Sequence, residues 1–142
     1  MDKKKDLAEK LRSSGLRPTK QRLRLAEYLF NRSKTFHFTV ENLDKVINKK
    51  GPDEKVALAT IYNTVHAFEK AGHLKEILLK EGRSYFDTNT TSHHHFYDKE
   101  NNELIDIEAN NIELKKFPMP PKGKSIKNVN VIINIDNDTQ NH

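Results

Sequence analysis

The chain has 142 residues, no cysteine, a formal net charge of +5, and 35% hydrophobic against 32% charged residues. That is lean but globular: one domain or two small ones, with an oligomer as a further way to bury apolar surface. It excludes disulfides and thiolate zinc; no stretch is apolar enough to span a membrane, and the start M-D-K-K-K-D-L lacks a signal-peptide core, so a cytoplasmic protein is expected. Residues 1–80 carry 18 Lys+Arg against 10 Asp+Glu (+8), whereas residues 81–142 carry 7 against 10 (−3). A basic half beside an acidic half implies nucleic acid contact at one end, the alternative being a merely solvated basic face.

In chain order, residues 2–14 read as a polar helix with a thin stripe at Leu7 and Leu11, ended by Ser13-Ser14-Gly15. Pro18 suits the first turn of a second helix, which runs to about Phe30 with Leu23, Ala26, Leu29 and Phe30 facing a core. Residues 31–38 read as a connection containing His37. Thr39 is an N-cap for a third helix with Leu43, Val46 and Ile47 inward, stopped by Lys49-Lys50-Gly51-Pro52-Asp53. The fourth helix has the clearest pattern: Leu58, Ile61, Val65 and Phe68 inward, Thr60, Tyr62, Asn63, His66 and Lys70 outward, and Gly72 as a left-handed cap. Residues 74–79 and 83–87 read as a hairpin around Lys80-Glu81-Gly82.

Three short helices, a helix with a polar outer face, then a hairpin is the order of a winged helix-turn-helix. The fourth helix would enter the major groove, with Thr60, Tyr62 and Asn63 near base edges. Arg17, Lys20, Arg22 and Lys75 are candidates for phosphate oxygens. A solvated helix face remains the plainer alternative.

Between the halves lies Y-F-D-T-N-T-T-S-H-H-H-F, from Tyr85 to Phe96. If residues 93–95 run as a strand, His93 and His95 share one face and His94 takes the other. Two imidazoles with Asp87 nearby form the nucleus of a transition-metal site; a His-rich polar loop is the alternative. Beyond it, residues 96–98 and 103–107 read as strand pieces around a polar turn. Ile112 and Leu114 lead into a proline-rich stretch at Phe117–Pro121 that cannot continue a helix. Residues 126–135 alternate as a half-buried strand, with Val129, Val131, Ile133 and Ile135 on one face.

With these pieces in order, the chain resembles the ferric uptake regulator family of bacterial transcription factors. The carrying segments are G-L-R-P-T-K-Q-R from Gly15, H-F-T-V-E-N-L from His37, L-A-T-I-Y-N-T-V from Leu58, A-G-H-L-K-E from Ala71 and S-Y-F-D-T-N-T-T-S-H-H-H-F from Ser84. Within that family it looks most like the iron response regulators of alphaproteobacteria. The resemblance implies an α+β fold: a winged helix-turn-helix domain over 1–86, a hinge over 87–92, and a small α/β dimerisation and sensing domain over 93–142. It implies a homodimer on a palindromic or near-palindromic operator. It also implies a regulatory site for iron, manganese or zinc between the domains, with His37, Asp87, His93, His95 and Asp106 as ligands. A bound ion would then set the spacing of the two reading helices.

The family's cysteine-bound structural zinc has no counterpart here, since Asp98 and Asn101 stand where its first cysteine pair would be. The iron response resemblance also implies control by haem, for which His93, His94 and His95 are the axial candidates. Two other functions compete. A peroxide sensor of the same family is one, since its members share Asp rather than Glu at the position of Asp87. A small metallohydrolase is the other, but no H-E-x-x-H motif or separate general base is present; the expectation is a regulator, not an enzyme.

Overall fold

The computed structural model describes residues 3–49, 55–79, 82–91 and 93–138. The chain divides into two compact units, Met1–Thr90 and Thr91–His142. Residues 50–53, expected to stop the third helix, and Lys80-Glu81 of the hairpin turn lie outside the described residues.

The first unit runs α1 (Lys3–Ser13), α2 (Lys20–Phe30), β1 (His37–Phe38), α3 (Val40–Ile47), α4 (Leu58–Lys70), β2 (Lys75–Leu78) and β3 (Ser84–Asp87). Gly15 at φ 85 allows the Leu16 N–H to reach back to the Leu11 carbonyl at 2.8 Å, closing α1 as the Ser-Ser-Gly signal predicts. Gly72 at φ 90 does the same for α4, with His73 N–H on the Phe68 carbonyl at 2.8 Å. Thr19 and Thr39 cap α2 and α3 through their hydroxyls, on the N–H groups of Arg22 and Asn42. Pro18 therefore precedes the cap of α2 instead of lying in its first turn.

Helical periodicity places Leu7, Leu11, Leu25, Ala26, Leu29, Leu43, Ile61, Val65 and Phe68 in one core, joined by Phe38, Val40, Val56, Leu74 and Phe86. Four inward assignments need correction. Leu25 is in the core while Leu23 and Phe30 are only partly buried, because α2 is rotated by part of a turn from the expected face. Val46 and Leu58 are exposed, Leu58 because it begins α4, before that helix reaches the others. The connection after α2 also holds a short strand: β1 joins a sheet of order β1-β3-β2, all antiparallel.

The second unit is a sheet of order β5-β4-β6, from β4 (His94–Asp98), β5 (Glu103–Ile107) and β6 (Ile132–Ile135), with a 3-10 turn at Ala109–Asn111. The β4–β5 pair is antiparallel and β4–β6 is parallel. β6 is much shorter than the expected 126–135. Its ladder begins at Ile132 opposite His95, and upstream the Val131 N–H is taken by a side chain, His94 Nδ1, at 2.9 Å. Among the described residues the buried hydrophobics of this unit are Tyr97, Leu104 and Ile107.

Candidate functional site

Sheet register in the first unit sets His37 directly across from Asp87. Phe36 and Thr88 lock that register beyond the strand ends: Phe36 N–H donates to Thr88 Oγ1 at 3.0 Å and Thr88 N–H to the Phe36 carbonyl at 3.2 Å. Asp87 is 1% exposed. Its Oδ1 accepts the Asn89 N–H at 2.8 Å, which turns Oδ2 to His37 Nε2 at 3.2 Å.

The second unit repeats the device. β4 and β5 set His95 across from Asp106, with His95 Nε2 3.3 Å from Oδ1. His93, two residues earlier on the same face, brings its Nε2 to 3.2 Å from the same oxygen, and the two imidazole rings lie 4.5 Å apart. His93 Nδ1 is 2.8 Å from the Thr91 carbonyl. A carbonyl only accepts, so the proton is on Nδ1, and a neutral ring then turns its Nε2 lone pair towards the Asp106 oxygen. Two lone pairs facing each other repel; a shared cation, or a second proton on the ring, makes the geometry attractive.

These separations also suit a cation. Ligand atoms each about 2.1 Å from one ion lie roughly 3.0–3.4 Å apart along the edges of a coordination sphere. Donation of the second ring nitrogen to a carbonyl is the usual support for a metal-binding histidine. By donor chemistry, imidazole nitrogen with carboxylate oxygen, the residues fit iron(II), manganese(II) or zinc. His94 differs. Its Nδ1 accepts from Val131, which puts the proton on Nε2 and uses the ring as a tie between β4 and the approach to β6. That hydrogen bond is at odds with His94 as an axial ligand alongside His93 and His95.

On the outer face of α4, Tyr62, Asn63, His66 and Lys70 are exposed and Thr60 is partly so. Leu58, Tyr62 and His66 form one stripe at spacings of four, and Ala57 gives α4 no side-chain cap. Arg17 and Lys20 are exposed at the start of α2, while Arg22 is partly engaged, donating to the Arg17 carbonyl at 3.1 Å. Lys75 is half-buried at the end of the hairpin remote from its tip, opposite Asp87. Sequence reasoning missed Glu41, whose Oε2 accepts the Tyr62 hydroxyl at 2.6 Å. The two are far apart in sequence, and only the acidic first turn of α3 hinted at it. His73, which follows the Gly72 cap of α4, lies with Nε2 2.7 Å from Ser14 Oγ and its ring against Phe30 and Phe68.

Comparison with known proteins agrees with this architecture. Over residues 13–134 the chain matches the profile of the Ferric uptake regulator family. It is 31% identical over 103 residues to the peroxide operon regulator of Bacillus subtilis, spanning 72% of this chain and 68% of that protein. It is 32% identical over 97 residues to the peroxide-responsive repressor of Staphylococcus epidermidis, spanning 68% and 62%. Its fold is similar to the manganese-containing ferric uptake regulator of Pseudomonas aeruginosa (TM-score 0.67, 23% identity, 91% and 96% covered). It is also similar to the ferric uptake regulator of Vibrio cholerae (TM-score 0.68, 22% identity, 91% and 98% covered). The α+β organisation expected from the sequence is thus found, and no described helix is long and apolar enough to cross a membrane. The hydrolase alternative falls away, because this family consists of transcriptional regulators and not enzymes. The chain belongs to the ferric uptake regulator family and is a metal-responsive transcriptional regulator.

Proposed function

We propose that the chain is a homodimeric repressor whose operator affinity is set by one divalent cation shared by His37 and Asp87 of the first unit and His93, His95 and Asp106 of the second. The observation that carries metal control is the His93 tautomer, with a lone pair turned to a carboxylate oxygen at 3.2 Å; the sharing of the ion with His37 and Asp87 follows from the family resemblance. An ion common to both sets would fix one arrangement of the two units out of several, and so select the DNA-binding conformation.

Dimerisation is supported by the second unit's surface. Phe96 is in register with Ile105 on one side and Ile133 on the other, and both isoleucines are 38% exposed. A sheet with so few buried hydrophobics of its own gains most by covering that row with a second copy. Two copies present two α4 helices to a palindromic or near-palindromic operator, with Tyr62 and Asn63 at bases, Thr60 beside them, and Arg17, Lys20, Arg22 and Lys75 towards phosphates. Binding to operator DNA would place the protein in the cytoplasm.

Two effectors divide the finer reading. Control of iron or haem metabolism genes follows from the sequence resemblance to iron response regulators. The haem part has the weaker physical support, since His93, His94 and His95 are all buried. A peroxide-sensing repressor is favoured by the names of the two curated relatives and by an Asp, not a Glu, at position 87, the last residue of β3. In that reading, peroxide oxidises His37 or His93 when iron is bound, and operator DNA is released.

Operator binding measured with apo protein, manganese(II), iron(II) and haem separates these. Tight binding with manganese or iron, and weak binding without, is the expected result. Loss after peroxide treatment of the iron form alone, with a one-oxygen mass gain on the peptides holding His37 or His93, selects the peroxide reading. Release by haem selects the other. Equal affinity in the apo and metal-treated states would overturn metal control.

A further inference from the structure

We propose that Glu41 is a positioning residue for sequence reading: from the first turn of α3 its carboxylate holds the Tyr62 hydroxyl, and thereby fixes the ring that α4 presents to DNA. This rests on the reading of α4 as the recognition helix.

Three contacts define the arrangement. The Tyr62 hydroxyl donates to Glu41 Oε2 at 2.6 Å, a short charge-assisted bond. The Tyr62 ring stacks on His66, one turn later, with centroids 6.3 Å apart and planes 18° from parallel. His66 in turn sets its ring against Phe86 of β3, edge to face, at 5.9 Å. Tyr62 is therefore gripped at both ends of an otherwise exposed side chain. Glu41 is well placed to do this. It follows the Thr39 cap of α3, where helix N–H groups favour a carboxylate.

The electrostatics of both partners follow from the same bond. The Tyr62 bond, followed by Glu41's own backbone N–H, holds the Glu41 carboxyl below its ordinary range, and the positive charge of Arg83 on the hairpin adds to this. The same bond, with some desolvation, pushes the Tyr62 phenol up.

A tyrosine hydroxyl has one proton to give. Here it is committed to Glu41, so donating it to a base would forfeit a charge-assisted bond. What the helix offers at this position is a ring of fixed direction. Orienting that ring before DNA arrives removes an ordering cost that would otherwise be met on binding. A bare carboxylate near phosphates has the opposite influence, lowering affinity for every sequence alike. The two influences have opposite signs when Glu41 is changed, and this separates them.

The test compares Glu41→Ala, Glu41→Gln, Tyr62→Phe and Tyr62→Ala in the metal-loaded protein, on operator and on non-operator DNA. Glutamine keeps an oxygen that accepts the hydroxyl but loses the charge. Positioning predicts that Glu41→Ala and Tyr62→Phe each lower the operator to non-operator ratio about tenfold, while Glu41→Gln stays near the parent. It also predicts that the Tyr62 phenol, followed by carbon NMR, titrates lower in Glu41→Ala than in the parent. That readout needs no DNA, and mere loss of helix stability would not move it.

Glu41→Ala and Glu41→Gln both tightening on all DNA, with the ratio unchanged, would reduce Glu41 to a charge and overturn the proposal. An unshifted phenol titration would overturn it too. If Tyr62→Ala leaves the ratio intact, it is the assignment of Tyr62 to the reading face that fails. If Tyr62→Ala lowers the ratio and Glu41→Ala does not, only the positioning role fails.

Discussion

The two units use the same pairing, an imidazole directly across antiparallel strands from a carboxylate, but they differ in what lies beneath it. His37 and Asp87 belong to a unit whose four helices bury leucine, isoleucine, valine and phenylalanine side chains in one continuous core. His95 and Asp106 belong to a unit whose buried groups, among the described residues, are Tyr97, Leu104, Ile107 and three histidines. Burying imidazole gains less than burying a leucine, and requires a hydrogen-bond partner for each nitrogen. The first unit can therefore hold its shape through apolar burial. In the proposed reading the second gains its further stability from a cation among its imidazoles and a second copy against Phe96, Ile105 and Ile133. A regulator would benefit from that inequality: a reading head that stays folded, joined to a sensor whose order would depend on what it binds.

The largest way to break the contrast is to hollow the first unit. Phe68→Ala removes a fully buried ring from the last turn of α4, and a loss of about 3–5 kcal/mol in urea unfolding is expected. Manganese(II) should not restore the lost packing. Next in size is the cation itself. Manganese(II) at about a hundred times its dissociation constant should raise unfolding free energy by about 2.7 kcal/mol. His95→Ala should remove that gain while leaving α-helical circular dichroism unchanged. A smaller effect is expected from Ile105→Asp, which sets a charge in the exposed apolar row. The dimer should weaken at least tenfold in sedimentation, with cooperative melting of the helices retained.

The smallest effect belongs to His73. Burial, and then the nearby Lys10 charge, depress its pKa. The unfolded chain therefore takes up the proton first as pH falls. Stability contributed by neutral His73 is present above about pH 6.5 and declines as the pH drops towards its lower folded value. His73→Gln should flatten that part of the pH–stability curve, and an unchanged slope would assign it elsewhere.

Most of the first unit was legible because helices declare themselves locally. Leu7 and Leu11, the cap Thr39, the Ile61-Val65-Phe68 stripe and the left-handed Gly72 each follow from neighbours within a turn or two, whereas the Thr19 cap was missed because Pro18 was read into the first turn. β1 was not legible, since two residues carry no periodicity and their strand exists only because Phe86 and Asp87 pair with them. β6 was overread for the complementary reason. Alternation from Ile126 onward is a real pattern, but pairing starts at Ile132, where β4 supplies backbone partners. Leu58 shows the limit of a helical stripe, which says which residues share a face but not how far the neighbouring helix extends. At the candidate site, residue types and the shared face of His93 and His95 could be read directly. The opposite employment of His94, and the reach of Glu41 to Tyr62, depend on strands and helices that only the fold brings together.

The central claim, one cation shared by ligands from both units, is tested most directly by calorimetric titration of manganese(II) into the parent, His37→Ala, His95→Ala and the double variant. One high-affinity ion per chain is predicted for the parent. Each single variant should lose that same binding event, and the double variant should be no worse than either. A His37→Ala chain that still binds manganese(II) as tightly as the parent would contradict it.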